Sequence, residues 1–116
     1  MRGTKLTICA AVAGLAFTGA AVAGPTATTV TVTAGKPSEL KFTLSKKSVA
    51  AGAVTFKVTN KGKSTHDFKI SGKKTKLLAA GKSATLRVTL KKGKAAFLCT
   101  VPGHAAAGMK GTVTVK

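Results

Sequence analysis

The sequence predicts an all-β domain, a two-layer antiparallel β-sandwich. Three observations predict it. Apolar residues recur with a period of two in short runs, glycine–lysine turns separate those runs, and no segment sustains a helical period. A strand that is apolar at every second residue must bury that face, and a second sheet is the expected cover.

Taken in order, residues 28–33 alternate Thr and Val. Leu40, Phe42 and Leu44 point one way while Lys41 and Thr43 point the other. Val54, Phe56 and Val58 interleave with Thr55 and Lys57, and Phe68 and Ile70 flank Lys69. Leu86, Val88 and Leu90 flank Arg87 and Thr89. The last two strands are expected over residues 95–99 and 112–115, which makes seven. Turn signals fall between them at Gly35-Lys36-Pro37, Ala51-Gly52, Asn60-Lys61-Gly62, Ser71-Gly72, Gly81-Lys82 and Lys92-Gly93. Residues 73–80 carry no strand pattern and are expected to cross between the sheets. No internal repeat or interior linker divides the chain.

The N-terminus reads as an export signal over residues 1–23. Arg2 and Lys5 supply the positive region, residues 6–17 are apolar, and Ala21-Val22-Ala23 is a small-residue cleavage site. An uncleaved anchor is the alternative, since residues 6–23 are barely long enough to span a bilayer. A lipoprotein signal at Cys9 is disfavoured by the bulk of Ile8. Export places the protein in the periplasm or outside the cell, with no stable membrane insertion after cleavage. Removing 23 of 116 residues leaves 93, enough for one small domain over residues 24–116. The formal charge of +18 becomes +16 once Arg2 and Lys5 are gone. The remaining chain has only Cys99 and cannot form an internal disulfide. A lone thiol in an oxidising compartment needs an occupant, and a metal is one.

Outside the leader the chain has one cysteine, one methionine and two histidines: Cys99, Met109, His66 and His104. Two imidazoles, a thiolate and a weak thioether make the ligand set of a blue-copper electron-transfer site. Cys99, His104 and Met109 share the one loop expected between the last two strands, where Pro102-Gly103 can turn the chain back. His66 must come from another strand end. Zinc competes for Cys and His but leaves Met109 unexplained, because thioether is a poor zinc ligand. A binuclear copper centre needs a second cysteine in the loop, and there is none.

The run from Phe97-Leu98-Cys99-Thr100 through Pro102-Gly103-His104 to Gly108-Met109-Lys110 resembles the copper loop of the cupredoxins. The spacing, four residues between Cys99 and His104 and four between His104 and Met109, looks most like small plastocyanin- or auracyanin-related bacterial members. The resemblance implies a Greek-key antiparallel β-sandwich of about seven to eight strands. It implies one-electron transfer, with His66, Cys99 and His104 as equatorial ligands of one copper ion and Met109 as the long axial ligand. The protein is then a carrier and not an enzyme. Two positions depart from the pattern. Asp67 stands where members commonly have Asn, and Ala95 where they often have an aromatic residue. Asp67 is either a brace from the His66 segment to the copper loop through Thr100 or an exposed turn carboxylate. Pro102 has no amide hydrogen to give the Cys99 sulfur, which favours Cu(II), or it serves only to shape the turn.

Lys41, Lys57, Lys69 and Arg87 fall on the polar phase of strands, so much of the positive charge is a solvated face. With no Tyr or Trp and no helical reading element, specific nucleic-acid binding lacks its usual residues. The basic exterior suits redox donors and acceptors with acidic docking surfaces. Small uncharged residues around His104 are read either as an apolar docking patch or as plain turn chemistry. The expected function is a monomeric one-electron shuttle. The alternative is an exported copper-binding, storage or delivery protein.

Overall fold

The computed structural model describes residues 28–116. The expected leader, Cys9 and the boundary at residue 23 lie outside the described residues. Nine strands are present among the described residues: β1 Thr28–Ala34, β2 Phe42–Leu44, β3 Ser48–Val49, β4 Gly52–Asn60, β5 Lys69–Ile70, β6 Lys73–Lys74, β7 Ser83–Leu90, β8 Gly93–Leu98 and β9 Lys110–Val115. They form a four-stranded sheet in the order β2-β1-β4-β7 and a five-stranded sheet in the order β3-β9-β8-β5-β6.

All seven expected strands are there, with ends displaced by a few residues. The two additions, β3 and β6, have two residues each and are too short to show a period. β6 takes the first two residues of the stretch expected to lack strands, and the rest of it does carry the chain to the other sheet. Most pairings are antiparallel, but β1–β4 and β3–β9 are parallel, so both sheets are mixed. The chain changes sheets after β2, β3, β4, β6 and β7. A strand reached by way of the opposite sheet can arrive in either direction.

The alternating faces meet as expected. Val30 and Val32 of β1, Val54, Phe56 and Val58 of β4, and Val88 and Leu90 of β7 are buried against Phe68, Ile70, Phe97, Val113 and Val115. The intervening Lys57, Lys69 and Arg87 are exposed. Phe68 is the centre of the core. Its ring lies 5.2 Å from Phe56, 5.4 Å from Phe97 and 5.4 Å edge-on from Phe42. Aromatic contacts of this kind add about 0.5–1.5 kcal/mol each beyond the area they bury. Because Phe68 lies two residues beyond His66, the core also anchors the segment that carries this imidazole.

Candidate metal centre

Three strand ends meet at one pole of the sandwich. β8 pairs with β9 on one side and β5 on the other, with Leu98 opposite both Lys110 and Lys69. The residue after Leu98 is Cys99, so its side chain lies between the segment entering β5 and the loop returning to β9. The Cys99 amide donates to the Met109 carbonyl at 3.1 Å, closing residues 99–109 into one loop. Within it Gly103 adopts φ 84°, a left-handed conformation that favours glycine. His104 N–H donates to the Val101 carbonyl at 3.0 Å, and Met109 N–H to the His104 carbonyl at 3.0 Å. His66 is held across the site by an isolated antiparallel bridge with Leu78, at 3.1 and 2.8 Å.

The donor atoms converge. His66 Nδ1 lies 3.2 Å from His104 Nδ1 and 4.0 Å from Cys99 Sγ, and His104 Nδ1 lies 3.6 Å from Cys99 Sγ. An ion about 2.0–2.1 Å from nitrogen and about 2.3 Å from sulfur, with donors about 100–120° apart, sets nitrogen–nitrogen at about 3.1–3.6 Å and nitrogen–sulfur at about 3.3–3.8 Å. Two of the three distances fall inside those ranges and the third is slightly wider, so one ion fits. His66 and Cys99 are buried and His104 is half-buried. Met109 is fully buried in a small cluster with Cys99 and Ala34. The four residues singled out by sequence therefore lie together.

Residues 10–116 match the family described as copper binding proteins, plastocyanin/azurin family. The chain belongs to that family. Among solved structures, auracyanin B is 26% identical with a TM-score of 0.69, covering 82% of this chain and 93% of that one. Auracyanin A, a "blue" copper protein from Chloroflexus aurantiacus, shares the fold at 20% identity and TM-score 0.67, covering 78% and 100%. Rusticyanin from Thiobacillus ferrooxidans shares it at 22% identity and TM-score 0.67, covering 76% of each chain. No curated protein sequence matches at the same level of significance. Copper is thus the metal of this plastocyanin/azurin-family chain, and its donor set fits a single type 1 copper ion.

Two carboxylates support the centre. Asp67, 1% exposed, accepts the Thr100 amide through Oδ1 at 2.6 Å and the Thr100 hydroxyl through Oδ2. It joins the residue after His66 to the residue after Cys99. The brace reading of Asp67 therefore has its geometry, and the exposed-turn reading does not. Burial pushes the Cys99 thiol up, while backbone hydrogen bonds from Asp67 and Val101 pull it the other way. A proton must therefore leave Cys99 when a metal binds.

Sequence reasoning missed Glu39, which lies 2.5 Å from His66 Nε2. It also accepts the Lys63 amide at 2.8 Å and the Ser64 amide at 3.1 Å. The Lys63 amide, the His66 ring and the Ser64 amide, in that order, hold the Glu39 carboxyl down at about 2. The only available signal was scarcity: the chain has two acidic residues, and one was unexplained. Asn60, expected in a turn, instead ends β4 and is fully buried. Its side chain donates to the Ser64 and Leu78 carbonyls, both at 2.7 Å, and accepts the Gly62 amide at 2.8 Å. It ties the segment before His66 to the segment that pairs with His66.

Proposed function

We propose that this chain is an exported, monomeric electron carrier in which His66, Cys99, His104 and Met109 hold one copper ion. The observation that carries the reading is the convergence of two imidazole nitrogens and a thiol sulfur at ion-binding distances beside a buried methionine. Bound copper supplies the one-electron couple. The protein's residues do the rest. Cys99 gives up its proton to become the thiolate ligand, and Asp67 holds the backbone on both sides of the site through Thr100. Three segments of a hydrogen-bonded sandwich carry the ligands, which limits their movement as the electron comes and goes.

His104 is the only one of the three converging ligands that is not buried, so electrons pass through its ring edge. Pro102, Gly103, Ala106 and Ala107 around it are exposed, small and uncharged. They let a partner approach closely. The lysines beyond that patch favour a partner with an acidic docking surface, with association that slows as salt rises. Ala106→Asp should slow transfer to such a partner and leave the visible spectrum unchanged; equal rates would remove the docking assignment.

The storage or delivery reading needs a site that exchanges its ion. Burial of His66, Cys99 and Met109 favours retention. Adding Cu(II) to the purified protein tests both readings. An intense blue band, narrow copper hyperfine splitting and slow loss to a chelator are expected. A colourless product would refute the type 1 site, and rapid loss would favour delivery.

A further inference from the structure

We propose that Glu39 is a charged positioning residue for the metal, which takes the Nε2–H of His66, fixes Nδ1 as the coordinating nitrogen and biases bound copper toward its oxidised state. The inference rests on the copper site proposed above.

The two nitrogens of His66 face different surroundings. Nδ1 faces His104 Nδ1 and Cys99 Sγ, whereas Nε2 faces Glu39 Oε2 at 2.5 Å. An ionised carboxylate only accepts hydrogen bonds, so the ring proton belongs on Nε2 and the lone pair on Nδ1. The Lys63 and Ser64 amides also donate to the Glu39 carboxylate, at 2.8 and 3.1 Å, so every group that faces it is a donor and it serves as an acceptor. A carboxylate on the far nitrogen makes a ligating imidazole a stronger donor. Its negative charge also favours the more highly charged of the two copper states.

The surrounding backbone is shaped for this contact. The parallel register of β1 and β4 sets Ala34 opposite Asn60, and Lys61 N–H donates to the Ala34 carbonyl at 2.9 Å. The loops that follow these strands therefore lie side by side. They approach so closely that a Cβ on Gly35 would sit 2.5 Å from the Gly62 backbone. A Cβ on Gly62 would overlap the Glu39 carboxylate and come within 3.1 Å of His66 Nε2. Glycine at both positions leaves the space that the carboxylate fills.

The test compares Glu39→Gln, Glu39→Ala and Gly62→Ala with the parent protein. The last leaves both partners in place and puts a methyl group where the carboxylate sits. Nitrogen-15 NMR of the metal-free protein should show His66 protonated on Nε2, and the variants should lose that preference. Redox titration of the copper-loaded proteins should show the ratio of Cu(II) to Cu(I) affinity falling about tenfold in the Glu39 variants, a rise of about 59 mV for one electron. Gly62→Ala should shift the same way. Blue variants with an unchanged or lowered potential would overturn the proposal, as would a parent protein with His66 protonated on Nδ1. A parent protein that does not turn blue would sink the copper site instead, while the NMR would still decide whether Glu39 orients the ring.

Discussion

The link from Asp67 to Thr100 can be weighed by removing it. Asp67→Ala deletes both acceptors and leaves the half-buried Thr100 amide and hydroxyl without their partners. Hydrogen bonds to a charged group contribute about 1.5–3 kcal/mol each, so the gross loss is about 3–6 kcal/mol. Relief from burying a carboxylate that is 1% exposed recovers part of this, leaving a net cost of about 3 kcal/mol. A domain of fewer than 100 residues loses about 4–8 °C of Tm per kcal/mol, which predicts a fall of about 12–24 °C. Asp67→Asn keeps one acceptor for the amide and lets the Thr100 hydroxyl turn to accept from the new NH2. It should cost only about 1 kcal/mol. Thermal unfolding of the metal-free proteins, followed by circular dichroism, gives both numbers free of any contribution from copper. An alanine variant within about 4 °C of the parent would show that the brace carries no stability. An asparagine variant as damaged as alanine would show that charge, not acceptor count, is what matters.

Glu39 predicts an acid-sensitive window. Its carboxyl is lowered from the ordinary 4.5 to about 2, so its stabilisation is complete above 4.5 and fades as pH falls from there towards 2. The stability difference between the parent and Glu39→Gln should shrink over that window in urea titrations of metal-free protein; a constant difference would remove Glu39 as the cause. Cys99, 1% exposed and with its thiol raised by burial, should react with iodoacetamide far more slowly than an exposed cysteine until the protein is unfolded. Rapid alkylation of folded protein would contradict the burial. Met109→Leu keeps an apolar side chain of similar volume at a fully buried position, so the domain should lose less than about 1.5 kcal/mol. With the axial donor gone, Cu(II) loses more than Cu(I) and the potential should rise; an unchanged voltammetric midpoint would exclude Met109 as a ligand.

The parts legible in the sequence depended on local patterns or on scarcity. The long strands β1, β4 and β7 announced themselves through alternation, because one face of each is buried. The ligand set was legible because residues 24–116 contain no other Cys, Met or His to confuse it. Asp67 was legible by adjacency, as the residue after His66. Glu39 lacked all of these aids. Its contact with His66 spans 27 positions and depends on the parallel pairing of β1 and β4, which alternation does not encode. Asn60 followed the same logic. Asparagine before Lys61-Gly62 reads as a turn, and only the crossing of residues 60–66 with Leu78 turns its amide into a buried hub.

The placement of the two carboxylates follows from the donors around them. Near the copper site the strands have ended, and several N–H groups have no neighbouring strand to accept them. The Thr100, Lys63 and Ser64 amides and the His66 ring are four such groups. A backbone carbonyl has one oxygen and a fixed direction, whereas a carboxylate offers two oxygens on a rotatable stem. Glu39 takes three donors and Asp67 takes an amide and a hydroxyl. A chain with 20 basic residues against two acidic ones has thus put both acids where lattices of backbone hydrogen bonds cannot reach. The result separates two fields. At long range the lysines dominate, which is the field that would draw in the acidic partners proposed above. Within contact distance of the ligands the charge is negative, and the buried Asp67 is screened far less by salt than exposed lysines are. Partner attraction and copper chemistry can therefore be tuned by different residues of the same small domain.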